Sequence, residues 1–371
     1  MRKVLYFILV LAVAHSCTSK DTRYVIKGKI TGADSVTFLV QKRVSGVYVK
    51  LDSAMTVNGE FTMKGGKVDY PQIVYLMPKG MRGGLTFYLE NSPITINGHI
   101  DSLYSARIEG SKTQDEVEEL SGQLEPVNNK ISDLSGEFRT IQGNDYEEKM
   151  AELENQINEL YEETDRLRLE FIREHPSSYY AASLLSSMSY SMEADELENF
   201  INAMDTAVSN SKSLMDLKAH VEIMKTVARG QKAPDFIMND VNDNPLSLSS
   251  VTGKSKLLLV DFWASWCGLC RQENPNVVKI WEEYNKKGFD VFGVSLDRPG
   301  ARDSWIQAIK DDKLTWTHVS DLKYWDCAAA KLYAVNAIPA NFLLDETGTI
   351  IARNLRGEDL RLKVEEILDP K

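Results

Sequence analysis

The feature that most constrains the fold is a continuous apolar run that leads into a closely spaced pair of cysteines. The run occupies residues 257–262, and the pair lies in Trp266-Cys267-Gly268-Leu269-Cys270. An apolar run without polar alternation is typical of a strand that is buried on both faces. The residues from 270 to 287 predict a helix. The cysteine pair therefore falls where a buried strand ends and a helix begins.

Two cysteines at such a junction suit thiol-disulfide exchange. The amides and the dipole at a helix N-terminus stabilise a thiolate, and the thiolate is the nucleophile. We therefore expect Cys267 to attack a disulfide in a partner protein and Cys270 to resolve the mixed disulfide. No metal site is expected, because a structural zinc needs four ligands and the five histidines are scattered without ligand spacing. No cofactor is expected either.

The chain is longer than one hydrophobic core usually supports, at 371 residues. Residues 17–111 alternate with period two and contain the hairpin signal Asn58-Gly59, which predicts a small antiparallel β domain. Residues 112–229 predict an α-helical region, and residues 230–371 alternate strands with helices, which predicts an α/β domain. The fold class is thus a multidomain protein with a β, an α-helical and an α/β part.

The helical region begins with two stretches whose apolar residues are spaced three and four apart. The first seam comprises Val117, Leu120, Leu124, Val127, Ile131, Leu134, Phe138 and Ile141, and the second Met150, Leu153, Ile157, Leu160, Leu167 and Phe171. We predict a helical hairpin with its turn at 143–145 and a kink or break at Pro126. Two interpretations stay open: the hairpin packs within one subunit, or it forms a homodimer.

The C-terminal domain resembles the thioredoxin superfamily and, within it, the TlpA/ResA-like envelope thiol:disulfide oxidoreductases. The resemblance rests on Ala233-Pro234-Asp235-Phe236, on Phe262-Trp263-Ala264-Ser265-Trp266-Cys267, and on Val335 with Ile338-Pro339. It implies a thioredoxin-like fold over residues 230–371. Residues 17–111 resemble the β domain of unknown function that precedes such a module in some envelope lipoproteins.

The resemblance also implies roles for single residues. Pro339 would be cis beside the disulfide, and the Ile338 backbone would bind an extended segment of the partner. Trp266 would belong to the catalytic site, and Asp261 would accept the proton of Cys270. An acid inside a buried apolar strand also has a raised pKa on physical grounds alone. Leu269 departs from the family pattern, which often has proline there, and this leaves the direction of electron flow open.

Four other side chains carry alternatives. Asp297 is either a second acid near the site or a cap for the helix that follows. Cys327 is interpreted as a buried small apolar residue, the alternative being a third redox cysteine. Arg271 and Glu273 are interpreted as solvated positions of the helix that follows the pair, the alternative being catalytic groups.

The N-terminus predicts export. Arg2-Lys3 and an apolar run over 4–14 lead into Ala14-His15-Ser16-Cys17, which resembles a lipoprotein signal. Residues 1–16 would be the signal peptide, and Cys17 would carry a lipid that anchors the protein to a membrane. Plain secretion and an uncleaved anchor are the alternatives. The predicted location is the cell envelope, as a periplasm-facing membrane lipoprotein.

These features favour a reductase of disulfides in exported proteins, recharged by a thiol reductant in the membrane. The net charge of -11 argues against nucleic acid as a partner, because phosphates need a basic surface. Two alternatives remain: a thiol peroxidase of the same fold, and a non-catalytic envelope module with a structural disulfide. The presence of Asp261, Trp266 and Pro339 together argues against an inert disulfide.

Overall fold

The computed structural model describes residues 23–44, 46–138, 141 and 146–370. The predicted signal peptide, Cys17 and the predicted turn at 143–145 lie outside these residues. The chain divides into two compact units, Met1–Thr164 and Asp165–Lys371. The predicted domain boundaries at 111/112 and 229/230 stay predictions.

The first unit contains two four-stranded sheets. Their strands are β1 (Val25–Thr31), β2 (Thr37–Val44), β3 (Val47–Met55), β4 (Glu60–Lys64), β5 (Gln72–Pro78), β6 (Leu85–Leu89), β7 (Pro93–His99) and β8 (Arg107–Glu109). The strand orders are β4-β1-β7-β8 and β3-β2-β5-β6. The inward faces of both sheets share one core, which includes Ile26, Phe38, Val74, Phe87 and Ile96.

The prediction of an antiparallel β domain is wrong at one pair, because β1 and β7 run parallel with Ile26 opposite Ile94. Parallel pairing needs a long connection, and the strands between β1 and β7 supply it. The predicted hairpin at Asn58-Gly59 is confirmed. Both residues have positive φ, 55° and 77°, and Val57 pairs with Glu60 across them. This is the backbone conformation that a two-residue hairpin turn requires.

Two long helices follow, α1 (Lys112–Phe138) and α2 (Tyr146–Glu174). The predicted break at Pro126 is absent, since α1 continues through this residue. Pro126 lies on the exposed face, where water can bind the carbonyl that proline leaves without its usual partner. All the predicted seam positions are buried or half-buried, with Leu120, Leu124, Leu153 and Phe171 the most buried. The spacing of the apolar residues thus matches the faces that the two helices shield from water.

The second unit continues with three shorter helices, α3 (Tyr179–Met188), α4 (Ala194–Ala203) and α5 (Lys212–Thr226). Ser178 and Ser211 are the N-cap residues of α3 and α5, and each side chain accepts a hydrogen bond from an amide of the first turn. The buried side of these helices is apolar and includes Leu185, Leu197, Leu217 and Val221.

A seven-stranded mixed sheet forms the rest of this unit. Its strands are β9 (Ile237–Asp240), β10 (Pro245–Ser247), β11 (Leu257–Trp263), β12 (Phe289–Ser295), β13 (Thr317–Ser320), β14 (Ala340–Asp345) and β15 (Ile350–Arg353), in the order β10-β9-β13-β12-β11-β14-β15. The helices are α6 (Gly268–Tyr284), α7 (Arg302–Asp311), α8 (Ala328–Leu332) and α9 (Gly357–Leu368). The predicted alternation of strands and helices is confirmed, and every residue of β11 is buried.

One row of residues crosses the centre of this sheet. Gly293 on β12 lies between Asp261 on β11 and His318 on β13. Gly293 leaves room for the imidazole, because a Cβ added there would lie 2.3 Å from His318 Nδ1. His318 is only 4% exposed and contacts the rings of Trp263 and Trp316. Burial lowers its pKa to about 3, so the ring is neutral.

Candidate active site

The cysteine pair lies where β11 leads into α6, as the sequence predicts: Cys267 precedes the helix and Cys270 is in its first turn. Cys267 is the N-cap residue of α6, and its Sγ accepts a hydrogen bond from the Cys270 N–H at 3.1 Å. The two cysteines form a disulfide with a Cα–Cα distance of 5.3 Å. Cys267 is 6% exposed and Cys270 only 1%. Cys267 is therefore the sulfur more open to a partner, at the helix end that stabilises a thiolate.

The backbone beside the disulfide is only partly hydrogen-bonded. The Ile338–Pro339 peptide bond is cis, which is the geometry that the resemblance implies. The Ile338 carbonyl oxygen lies 3.8 Å from Cys267 Sγ. The Pro339 carbonyl accepts a hydrogen bond from Arg356 Nη2 at 2.7 Å, whereas the Ile338 N–H donates to no group in the part of the chain that the structure describes. An extended segment laid across Cys267 would therefore find a free donor at Ile338.

Asp261 lies in the middle of β11 and is 7% exposed. The pKa of its carboxyl is raised to about 7, mainly by burial and to a lesser extent by the negative charge of Glu273, while the positive charge of Arg356 opposes the shift. Glu273 also accepts a hydrogen bond from the Gly357 N–H at 2.7 Å. The interpretation of Glu273 as a solvated position is therefore wrong, because α6 turns this side chain toward the start of α9.

Asp297 is fully buried and fixes the segment before the cysteines. Its carboxylate accepts hydrogen bonds from the Ser265 N–H at 3.1 Å, from the Ser265 hydroxyl and from the Ser295 hydroxyl at 2.7 Å. The predicted cap of the following helix is wrong, because α7 begins later and its N-cap residue is Ala301. The sequence spacing concealed this arrangement, since Asp297 and Ser265 are 32 residues apart.

Arg271 anchors the first turn of α6 to the end of α7. Its guanidinium binds both carboxylate oxygens of Asp312, and its Nη1 donates to the Ser265 carbonyl at 3.4 Å. Asn274 Nδ2 donates to the same carboxylate at 2.6 Å. A two-point contact of this kind fixes both position and orientation. The prediction that Arg271 is a solvated side chain is therefore wrong, and nothing local in the sequence pointed to Asp312.

Three aromatic side chains adjoin the pair and are called here the aromatic shelf: Trp266, Tyr324 and Trp325. The Trp266 ring is centred 5.1 Å from the Tyr324 ring and 6.2 Å from the Trp325 ring. Trp266 Nε1 donates to the Leu296 carbonyl at 3.2 Å, yet the residue remains 39% exposed. Leu269, between the cysteines, is 63% exposed. The surface around Cys267 is thus apolar and open on this side.

On another side, a cavity of about 470 Å³ adjoins the cis proline. Its lining includes Ala337, Pro339, Arg353 and Arg356.

Cys327 is fully buried, and burial raises the pKa of its thiol to about 11. Such a thiol stays protonated at neutral pH, which supports the interpretation of Cys327 as a buried apolar residue.

Among the residues that the structure describes, no three His, Cys, Asp or Glu side chains are grouped so that they could hold a metal ion. No helix in the same part of the chain combines the length and the apolar character needed to span a membrane.

The raised pKa of Asp261 predicts how stability changes with pH. The unfolded chain loses this proton near pH 4, whereas the folded protein keeps it until about pH 7, so wild-type stability falls over this interval. Asparagine does not titrate. Above pH 7 we expect the free energy of unfolding of Asp261→Asn, measured with urea, to exceed that of wild type by up to about 4 kcal/mol. This difference should shrink toward pH 4. The exposed Asp303→Asn is the control, and an equal, pH-independent effect in both variants would contradict the assignment.

Two parts of this chain match known protein families. Residues 229–353 match the AhpC/TSA family, and residues 24–117 match a domain of unknown function, DUF4369. The chain is 30% identical over 144 residues to the thiol-disulfide oxidoreductase ResA of Geobacillus kaustophilus, covering 38% of this chain and 79% of that protein. It is 34% identical over 125 residues to the thioredoxin-like protein YneN of Bacillus subtilis, covering 33% and 69%. A solved thiol-disulfide oxidoreductase from Bacteroides fragilis is 38% identical, covering 37% of this chain and all of that one, with a TM-score of 0.35.

Proposed function

This chain belongs to the ResA-like thiol-disulfide oxidoreductases, and from this we propose that it reduces disulfides of exported proteins through Cys267 and Cys270. The observation that carries the proposal is the position of Cys267. Cys267 caps α6, is the more exposed residue of the pair, and adjoins Ile338, whose N–H has no hydrogen-bond partner among the described residues. The proposed nucleophile, the helix terminus that stabilises its thiolate and the backbone that would bind the partner therefore lie together at Cys267.

The proposed reaction has two exchange steps. The Cys267 thiolate attacks one sulfur of the partner's disulfide, a mixed disulfide forms, and the partner's other sulfur leaves as a thiolate. Cys270 then gives its proton to the Asp261 carboxylate and attacks Cys267 Sγ. This step restores the Cys267–Cys270 disulfide and releases the partner's second sulfur as a thiolate. The partner gains two electrons, the enzyme loses two, and solvent protonates the released thiolates.

Asp261 is suited to its proposed part by its pKa. A carboxyl with a pKa of about 7 is partly ionised at neutral pH, so it can take a proton and later return it. An exposed aspartate would be ionised almost completely and would be a weak base toward a thiol. Burial in β11 therefore adjusts the acid to its task.

The enzyme must be recharged, and we propose a thiol reductant in the membrane as the donor, because an exported compartment is oxidising. The predicted signal over 1–16 and the lipid on Cys17 would place the protein at the membrane surface, facing the periplasm. Disulfide-bearing exported proteins would be its substrates, and it would bind no nucleic acid.

A thiol peroxidase is not favoured, since it would need a reactive single cysteine. Cys327 is the remaining cysteine among the residues that the structure describes, and it is fully buried with a raised pKa. A non-catalytic module with a structural disulfide is the alternative that the following experiment addresses.

The test is the reduction potential of the pair in the full chain, together with the rate at which the reduced protein reduces insulin. We expect a potential between roughly -270 and -180 mV and measurable turnover, as for dithiol oxidoreductases. The variant Cys327→Ala is the matched control and should keep both properties. A potential below roughly -300 mV with no turnover would place the pair among structural disulfides and end the enzymatic proposal.

A further inference from the structure

Arg298 is an exposed cation that contacts the aromatic shelf, whose Trp266 directly precedes Cys267 in the chain. Its guanidinium carbon lies 4.7 Å from the centre of the Tyr324 ring and 5.8 Å from that of Trp266. Its Nη2 lies 3.4 Å from the Tyr324 hydroxyl. A guanidinium held against aromatic faces keeps N–H groups free to bind a planar anion.

No carboxylate in the described part of the chain forms an ion pair with Arg298. This is notable in a protein with 54 acidic and 43 basic residues. The carboxylates that directly precede Arg298 and follow Trp325 in the sequence have other partners: Asp297 binds Ser265 and Ser295, and Asp326 pairs with Lys331. The charge of Arg298 is therefore available to a molecule that approaches Cys267.

The shelf is held in place before any partner binds. Tyr324 has a φ of 57°, which is rare for a large side chain, and its N–H donates to the Asp297 carbonyl at 3.1 Å. The same Asp297 fixes Ser265 through its carboxylate. One buried residue thus positions both the shelf and the segment that leads to Cys267. A binding surface that is fixed in advance loses less entropy when it binds a partner.

We propose that Arg298 and the aromatic shelf select partners that carry an acidic residue beside the cysteine attacked by Cys267. This inference rests on the proposed function and specifies its substrate class. A segment that binds at Ile338 would place the residues flanking its cysteine over the surface next to Cys267. Trp266 would contact the stem of a glutamate or aspartate there, and the guanidinium would bind its carboxylate.

The test uses the full chain with Cys270→Ser, which stops the reaction at the mixed disulfide. Three synthetic peptides with one disulfide loop differ only at the two residues that flank the attacked cysteine, which are glutamate, glutamine or lysine. The rate of mixed-disulfide formation is followed by mass spectrometry at low ionic strength. We expect the glutamate peptide to react about fivefold faster than the lysine peptide, and high salt to reduce the ratio.

Two additional variants in the Cys270→Ser background identify the group responsible. Arg298→Glu should invert the glutamate-to-lysine ratio. Lys254→Gln, which removes an exposed cation distant in sequence from the shelf, should leave the ratio at its starting value. Equal rates for all peptides, or a preference that survives Arg298→Glu, would overturn the inference while the proposed function stands. If no peptide forms a mixed disulfide, both fail together.

Discussion

Replacing Cys267 with serine should abolish disulfide reduction, with turnover falling by at least about a thousandfold. A serine hydroxyl at neutral pH does not attack a disulfide, and the neighbouring Cys270 is too buried, at 1% exposed, to take over. The measurement is insulin reduction by the reduced full chain. The Cys327→Ala control should retain wild-type turnover.

The variant of the second cysteine, Cys270→Ser, should behave differently from Cys267→Ser, and this difference makes the prediction specific. Cys270→Ser leaves the attacking thiolate intact but removes the resolving thiol, so a covalent complex with the substrate should accumulate and turnover should stop. A non-reducing gel detects this complex, and added reductant should cleave its mixed disulfide and separate the two proteins. If Cys267→Ser instead trapped substrate, or if either single variant kept full turnover, the assigned order of the two cysteines would be wrong.

The second large effect is expected at Asp297. Removal of this carboxylate by Asp297→Ala leaves the Ser265 N–H, the half-buried Ser265 hydroxyl and the buried Ser295 hydroxyl without their acceptor. Donors that lose their acceptor inside a protein are costly, so we expect the free energy of unfolding to fall by about 3 kcal/mol. Activity should also fall, because the segment before Cys267 loses its main fixed contact.

Urea unfolding of the full chain measures the first effect, and insulin reduction measures the second under conditions where the variant remains folded. Asp303→Ala is the matched control, since Asp303 is exposed in the first turn of α7. It should change the free energy of unfolding by less than about 1 kcal/mol. Similar losses in both variants would show that Asp297 has no special part in holding the site.

The parts of the fold and site that could be predicted depend on local sequence. The apolar run before Cys267 specified a buried strand, and the pair after it specified a helix terminus. An acid within that run implied a raised pKa, because burial alone produces it. Asn58-Gly59 specified its own turn, since both residues tolerate positive φ.

The remaining features depend on contacts between residues that are distant in sequence. Asp297 looks like an ordinary loop residue until the fold brings Ser265 beside it, and the pairing of Arg271 with Asp312 spans 41 residues. The parallel pairing of β1 with β7 likewise has no local signature. Arg298 and Tyr324 carry no motif at all. Their importance arises only because two loops meet next to Cys267.

The close approach of Gly293 and His318 has a consequence for how this sequence can diverge. A Cβ at position 293 would collide with the His318 ring, so this position cannot gain a side chain while histidine remains at 318. A relative with alanine or valine in place of the glycine should carry a smaller side chain than histidine on the neighbouring strand. Positions 293 and 318 should therefore change together during divergence. A design that places a larger residue at position 293 must also place a smaller one at position 318.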